Sequence, residues 1–402
     1  RVKRCGSSDT IIGGAQQQQD RQPVWDFTLD EFKTRQPMHF NEARAQHHQL
    51  RRVEELVKAD QISSAMSVLT RDVNHAPVIP EDAFHRLEEK HPAPMMPPDQ
   101  VTQRKHQIAA MTLDQETDIV PQIESIDEMM EILSSCPKGK SPGPDKLRFD
   151  HLHTLGCGRA QLSAEARDFL DELRSVLNLI LAARVPPSVA AMLAMNEIIA
   201  LPKGDTGDVR PIGIGNTYRK IASKVVYNKL SAACAAKGFF YSDVLQGRFS
   251  RKDGYCDEGE PFQKTQHASS VCGIETIVHL TNMALSMPGV PPLDLYTIDA
   301  RNAFNQVDRL EGLLQAAHID RGCLPLIRAM YLEESSSAFY GCEDGVRTIT
   351  SRAGFHQGDV LGSLMFCISA QPLINHICES VMQHFPEAAA AKTVKINFYV
   401  DD

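Results

Sequence analysis

Two segments of this 402-residue chain are apolar runs that end on aspartate. The first, LDLYTID, ends at Asp299, and the second, KINFYVDD, ends at Asp401 and Asp402. Short apolar runs of this kind are typical of buried strands, so each acid is expected where its strand ends. If the two strands lie side by side, their three carboxylates come close together.

Clustered carboxylates repel one another, and burial raises the cost of keeping them ionised. A divalent cation removes that cost, and Mg²⁺ prefers oxygen ligands while leaving coordination positions for substrate phosphates. In polymerases two such ions lie about 4 Å apart, so the carboxylates of Asp299 and Asp401 are expected within roughly 10 Å. The alternative is that Asp401 and Asp402 form a surface turn, where aspartate is common.

Five stretches of the chain follow one another in a recognisable order. They are KGKSPGPDKLRFDHL (138–152), LPKGDTGDVRPIGIGNTYRKIASKVV (201–226), YTIDARNAFNQVD (296–308), GFHQGDVLGSLMF (354–366) and FYVDD (398–402). This series resembles the motifs of reverse transcriptases from non-LTR retrotransposons and group II introns. The last four stretches correspond to the fingers motif and to palm motifs A, B and C. The resemblance covers residues from about 125 to 402.

The resemblance implies a catalytic metal site. In this family the aspartates that match Asp299 and Asp401 bind two Mg²⁺ ions, for which Mn²⁺ is an alternative. Asp402 is expected to support the site, and the backbone carbonyl of Ala300 is expected to complete one metal shell. The ions lower the pKa of the primer 3′-hydroxyl and neutralise the leaving pyrophosphate.

The resemblance also implies contacts to the incoming nucleotide. Lys203 and Arg210 are expected to bind the triphosphate, the lysine as a point charge and the arginine as a planar fork. Phe304 is expected to lie against the sugar and exclude a 2′-hydroxyl, and Gln357 with Gly358 to begin the motif B helix beside the nucleotide. The alternatives are surface charges on an exposed hairpin, a core phenylalanine and a helix-capping loop.

Three features depart from the family pattern. Asn305 stands where motif A usually has aspartate, and Gly362 with Ser363 replaces the usual Ser-Pro of motif B. The sequence ends at Asp402, where the family continues with a return strand, the rest of the palm and a thumb. The sequence therefore predicts a partial chain that is inactive by itself.

Several elements are expected to position these residues. Residues 196–216 predict two short strands joined by the polar turn KGDTGD, and residues 217–235 predict a helix. A long apolar helix is expected over residues 358–382. The expected fold class is α+β, with the fingers and palm of a right-hand polymerase, an antiparallel palm sheet backed by helices, and no thumb.

The expected domain organisation has two parts. Residues 1–120 are polar, with QQQQ at 16–19 and a proline cluster at 91–100, and form an N-terminal extension with no assigned function. Residues 121–402 form the reverse transcriptase domain, with fingers over about 121–290 and an incomplete palm over about 291–402.

Composition limits the partners and the compartment. The net charge of −9 argues weakly against nucleic acid, but residues 197–229 carry six basic and three acidic side chains. No apolar run is long enough to span a membrane, and the ten cysteines include no C-x-x-C pair. Free thiols indicate a reducing intracellular compartment, without distinguishing nucleus from cytoplasm. The implied partners are an RNA template, a DNA primer and dNTP; no protein partner is indicated.

Three functions compete on this reading. The first is RNA-directed DNA polymerase, and the second is RNA-dependent RNA polymerase, which shares the palm and the metals. Phe304 favours the first, because an enzyme that polymerises ribonucleotides must admit the 2′-hydroxyl. The third is a degenerate nucleic-acid-binding remnant without catalysis. The three aspartates argue against that remnant, and the early end of the sequence argues for it.

Overall fold

The computed structural model combines helices with two small sheets, which confirms the α+β class. It describes residues 50–51, 53–54, 80–114, 116–155, 162–203, 208–246, 262–264, 277–278, 302–342 and 345–385. The strands expected to end at Asp299 and Asp401 lie outside these ranges. The fingers, the palm and its antiparallel sheet therefore stay predictions.

The helices of the described residues are α1 (Pro80–Glu89), α2 (Pro98–Ala110), α3 (Ile126–Ser134), α4 (Phe149–Leu155), α5 (Ala164–Leu181), α6 (Pro187–Ala194), α7 (Thr217–Ala236), α8 (Ala303–Gln306), α9 (Arg309–Ile319), α10 (Leu324–Tyr331) and α11 (Gly362–His384). The strands are β1 (Asn196–Lys203), β2 (Asp208–Gly215), β3 (Tyr241–Gln246), β4 (Phe262–Lys264), β5 (Ser335–Cys342) and β6 (Gly345–Ser351). The expected hairpin is confirmed as the β1–β2 pair, and the helix that follows it is confirmed as α7. The long apolar helix is confirmed as α11. No helix in these ranges is both long and apolar enough to cross a membrane.

The larger sheet has the strand order β2-β1-β5-β6. Strands β1 and β2 are antiparallel, with Leu201 opposite Arg210 and Lys203 opposite Asp208. Strand β5 lies parallel to β1, although the two are far apart in sequence, and it pairs with β6 in antiparallel orientation. Strands β3 and β4 form a separate two-stranded sheet.

Side-chain caps mark where several helices begin. The side chain of Ser163 accepts a hydrogen bond from the backbone N–H of Ala166, and Asn216 caps α7 in the same way. Asp308 caps α9 with two such bonds. These caps satisfy backbone donors that the first helical turn leaves unpaired. Along α5, buried leucines at helical spacing then direct one face inward: Leu170, Leu173, Leu177 and Leu181.

Two large apolar cores and one small cluster, of Ile374 and Cys378, lie among the described residues. The larger core lies among the helices and includes Leu177, Ile221, Leu313 and Ile368. The smaller core packs α1 against the larger sheet. Its members include Phe84, Leu87, Ile198, Val209 and Phe339. Helix α1 therefore covers one face of the sheet, although it lies in the 1–120 region that showed no functional signal.

The packing of α1 predicts the effect of truncating Phe84. Phe84→Ala should lower the free energy of unfolding by about 3 kcal/mol or more, because a buried aromatic is replaced by a cavity. Phe169→Ala is the matched control, since Phe169 is 42% exposed. Urea unfolding followed by circular dichroism measures both variants. Equal losses for the two would mean that α1 does not contribute to the folded core.

Candidate functional site

The structure describes five of the nine residues predicted to form the site. The predicted nucleotide contacts are all described: Lys203, Arg210, Phe304, Gln357 and Gly358. The predicted metal ligands all lie outside the described residues: Asp299, Ala300, Asp401 and Asp402. In the described ranges, no group of three or more acidic, histidine or cysteine side chains is placed to hold a metal ion. The metal site therefore stays a prediction.

Motif B begins in direct backbone contact with the end of motif A. The N–H of Phe355 donates to the carbonyl of Phe304 at 2.8 Å, and the N–H of Gly354 donates to the carbonyl of Val307 at 3.1 Å. Gly354 has φ +60°, and a Cβ there would lie 2.1 Å from the Phe304 oxygen. Glycine is therefore required for the two motifs to approach this closely.

Gln357 and Gly358 lie in a loop before α11, which begins at Gly362, so they do not begin the helix as expected. This motif B loop extends the edge of the larger sheet. The N–H of Gly213 in β2 donates to the carbonyl of Gln357 at 2.7 Å, and Ile212 pairs with Gln357 as a parallel bridge. Gly358 has φ +93°, and a Cβ there would lie 2.9 Å from the Gly213 oxygen. Backbone hydrogen bonds thus join the β1–β2 hairpin, motif B and the end of motif A.

The two predicted triphosphate contacts lie on one face of the hairpin. Lys203 is opposite Asp208, and Arg210 is two residues further along β2 than Asp208. Side chains two apart on a strand share a face, so Lys203 and Arg210 point to the same side of the sheet. Lys203 is exposed and Arg210 is half-buried.

Phe304 is buried, with an exposed fraction of 7%. Its ring stacks on that of Phe366 in α11, with centroids 4.9 Å apart and planes 23° apart. This is the packing of a core phenylalanine, which was the alternative to a sugar gate. No described contact tests the gate, so it stays a prediction.

A buried ion pair connects helix α7 to motif B. Arg219 is 1% exposed, and its Nη2 donates to Oδ2 of Asp359, which also accepts a hydrogen bond from the hydroxyl of Tyr331. Nη1 of Arg219 donates to the carbonyl of Ala194 at 2.9 Å. Burial lowers the pKa of Arg219, but the Asp359 carboxylate outweighs it and raises that pKa overall. Burial, followed by the Asp359 charge, raises the pKa of Tyr331.

A second buried arginine holds the strand that leads into motif B. Arg309 in α9 donates through Nε to the carbonyl of Gly354 at 2.6 Å. Its Nη2 donates to Oγ of Ser351 at 2.6 Å and to the carbonyl of Ala353 at 2.8 Å. Burial lowers the pKa of Arg309 to about 10. The guanidinium thereby fixes residues 351–354 against the helix that follows motif A.

Two histidines lie beside these arginines. His356 is buried, its Nε2 lies 3.5 Å from Oγ of Ser335, and its ring centroid is 6.4 Å from that of His91. Burial, then the charges of Arg219 and Arg309, lowers the pKa of His356 well below 6.5. Burial also lowers the pKa of His91. Both imidazoles are therefore neutral in the folded protein at neutral pH.

The stretch 138–152 supports the hairpin and the start of α7. The backbone N–H of Thr217 donates to the Asp145 carboxylate at 2.6 Å, and the Thr217 hydroxyl donates to the carbonyl of Leu147 at 2.6 Å. Lys146 forms an ion pair with Glu197 of β1 at 2.5 Å. Burial raises the pKa of Asp145. This stretch therefore positions the β1–β2 hairpin and α7 through hydrogen bonds and one ion pair.

The sequence left the roles of Arg219 and Arg309 unrecognised. Arg219 was counted among the basic residues of 197–229, which suggested a charged surface. The helical spacing indicates that this side chain is buried, because one buried face of the helix is shared by Arg219, Ala222, Val226 and Leu230. A charged residue in phase with an apolar stripe predicts a buried, paired charge.

Comparisons with known proteins identify no family for this chain. No protein-family model matches it, and no curated protein matches it. A function can therefore be proposed only from the five motifs and from the contacts between the described ones.

The buried ion pair predicts a large effect for Asp359→Asn. Arg219 would keep its charge in the interior without a carboxylate, and breaking a buried pair costs about 3–5 kcal/mol of folding free energy. Asp171→Asn is the control, because Asp171 pairs with Arg174 at 2.8 Å on the surface and should cost less than about 1 kcal/mol. Denaturant unfolding compares the two variants. A small loss for Asp359→Asn would contradict a dependence of the fold on this pair.

Buried His356 and half-buried His91 predict a loss of stability in mild acid. Their folded-state pKa values are lowered, so below pH 6.5 the unfolded chain binds protons that the folded chain does not. The free energy of unfolding should fall by up to about 1.4 kcal/mol per pH unit for each histidine. Unfolding curves between pH 7.5 and 5.5 test this. His356→Gln should reduce the slope, whereas His85→Gln at an exposed site should leave it unchanged.

Proposed function

We propose that the chain is the fingers and partial palm of an RNA-directed DNA polymerase from a non-LTR-type retroelement. It would transfer a nucleotide from dNTP to a primer 3′-hydroxyl. One observation carries the proposal beyond motif order: backbone hydrogen bonds join three of the four motifs that the structure describes in whole or in part. Phe355 bonds to Phe304, and Gly213 bonds to Gln357, so motif A, motif B and the hairpin meet at one place.

The hairpin supplies the charges that a triphosphate would need. Lys203 and Arg210 share a face of β1 and β2, and the same strand edge contacts Gln357. An ammonium and a guanidinium complement phosphate oxygens as a point charge and as a planar fork. The proposal assigns these two residues to the triphosphate and Gln357 with Gly358 to the nucleotide beside it.

The metal ligands of the proposal are Asp299, Asp401, Asp402 and the carbonyl of Ala300. All four are hard oxygen donors, which fit Mg²⁺ or Mn²⁺. Bound there, two ions would supply charge neutralisation for the primer hydroxyl and the leaving pyrophosphate. The remaining work of this chain is positioning and electrostatic stabilisation.

Basic residues support nucleic acid as the partner. Lys220 and Lys224 lie on α7, directly after the hairpin, in an otherwise acidic chain. Phosphate backbones are bound by local basic surfaces rather than by net charge. The proposed partners are an RNA template and a DNA primer.

One observation favours the second candidate, an RNA-dependent RNA polymerase. Phe304 stacks on Phe366 in the manner of a core residue. If its ring serves packing alone, nothing at this position excludes a ribonucleotide. The two polymerases share the metals, so the sugar of the nucleotide is the property that separates them.

The catalytic assignment predicts the effect of Asp401→Asn in the full-length protein. The variant should abolish Mg²⁺-dependent primer extension and leave template binding nearly intact, because metal binding and phosphate contacts are separate contributions. Extension gels and filter binding measure the two properties, with Asp171→Asn as a control that keeps both. Extension by Asp401→Asn would remove Asp401 from the site. A wild-type protein that binds RNA without extending primers would support the non-catalytic remnant.

The gate assignment predicts a change of sugar selectivity in Phe304→Ala. A 2′-hydroxyl pressed against the ring would be buried without a partner, which costs on the order of 1–3 kcal/mol. Removing the ring should raise GTP incorporation relative to dGTP at least tenfold. The measurement is the ratio of kcat/KM values for dGTP and GTP on a primed RNA template.

Phe366→Ala is the matched control for this experiment. It removes the same ring stacking, and because Phe366 is half-buried it should lose less stability than Phe304→Ala, for which about 3–5 kcal/mol is expected. Assays at low temperature keep them folded. Selectivity should change in Phe304→Ala alone. An equal change in both variants would show a packing effect, and a wild-type preference for GTP would replace the proposal with the RNA polymerase.

A further inference from the structure

Lys90, directly after helix α1, contacts two parts of the candidate site. Its Nζ lies 2.9 Å from Oδ2 of Asp208, the first residue of β2. Its backbone carbonyl accepts a hydrogen bond from the side-chain amide of Asn302, at 2.9 Å, within the motif A stretch. The Lys90 side chain is 13% exposed, so this ion pair is better shielded from water than an ordinary surface pair.

Asp208 lies beside the residues proposed to bind the triphosphate. It is opposite Lys203 in the β1–β2 register, and Arg210 follows two residues later on the same face. Burial raises the pKa of Asp208, but the hydrogen bond from Lys90 and the charges of Lys90 and Lys203 lower it overall. The Asp208 carboxylate therefore interacts electrostatically with both lysines.

A carboxylate at this position works against anion binding. Its negative charge would repel a phosphate and would compete for the positive charge of Lys203. In the folded protein the Lys90 ammonium lies 2.9 Å from the Asp208 carboxylate and offsets its charge, which reduces the negative potential beside Lys203 and Arg210. The N-terminal region thereby controls the electrostatic potential at the hairpin.

We propose that Lys90 is a positioning residue that sets the affinity of the hairpin for polyphosphate by neutralising Asp208. The inference rests on the proposed assignment of Lys203 and Arg210 to the triphosphate, but it does not require polymerase activity. The ligand class is a polyphosphate chain, whether free or carried by a nucleotide.

The test is the binding of inorganic tripolyphosphate to the 402-residue chain, measured by isothermal titration calorimetry. The proposal predicts for each variant whether the affinity rises or falls. Lys90→Met leaves the Asp208 charge uncompensated and should weaken binding about two- to fivefold. Asp208→Asn leaves the Lys90 charge uncompensated and should tighten binding by a similar factor. The double variant has no net charge at the pair and should bind like the wild type.

The matched control is Lys105→Met. Lys105 forms an ion pair with Glu333 at 2.7 Å, so this variant has the same change in net charge as Lys90→Met. Tripolyphosphate binding should not change in the control. If the Lys90–Asp208 pair had only a structural role, binding would weaken in both single variants and in the double variant. The electrostatic role instead predicts opposite changes in the two single variants.

The outcomes separate this inference from the proposed function. If the wild type binds no tripolyphosphate, both the assignment of Lys203 and Arg210 and the inference fail. If it binds but the variants do not follow the expected order, the inference alone fails. If the order holds while the full-length protein extends no primer, the polymerase proposal fails and the inference stands. If Lys90→Met does not fold, Asp208→Asn is still informative. Tighter tripolyphosphate binding by Asp208→Asn supports the inference, and weaker or equal binding by that variant overturns it.

Discussion

The candidate site depends on the buried ion pair between Arg219 and Asp359. A guanidinium with 1% exposure cannot be hydrated, so its charge is stabilised by the Asp359 carboxylate and by the carbonyl of Ala194. Asp359 directly follows Gln357 and Gly358. The pair therefore fixes the motif B loop against helix α7, which itself begins where the hairpin strand β2 ends.

The remaining contacts build outward from this loop. Backbone bonds join it to Phe304 and to Gly213, and Arg309 holds residues 351–354. These segments come from distant parts of the sequence, and the larger helical core brings them together. Helix α1 covers one face of the larger sheet and places Lys90 beside Asp208.

Local patterns in the sequence predicted the local elements. The hairpin and α7 follow from two short apolar stretches, the polar turn between them and the helical spacing after them, all of which act over a few residues. The pairing of β1 with β5 could not be predicted, because parallel strands far apart in sequence leave no local signal. The serine-rich β5 also lacks the alternation that marks a strand. Arg219 was missed because charge usually indicates a surface, and its burial depends on Asp359, 140 positions later. The predicted metal ligands remain predictions from motif order.

The two buried arginines impose different constraints on sequence change. Arg309 bonds mainly to backbone carbonyls, which every residue type provides, so residue 353 can change without removing an acceptor, while Gly354 is constrained separately by its close approach to Phe304. Arg219 instead needs the side chain of Asp359 and the hydroxyl of Tyr331 nearby. Divergence of this sequence should therefore change Arg219 and Asp359 together, as a coupled pair, while Arg309 persists as its neighbours drift.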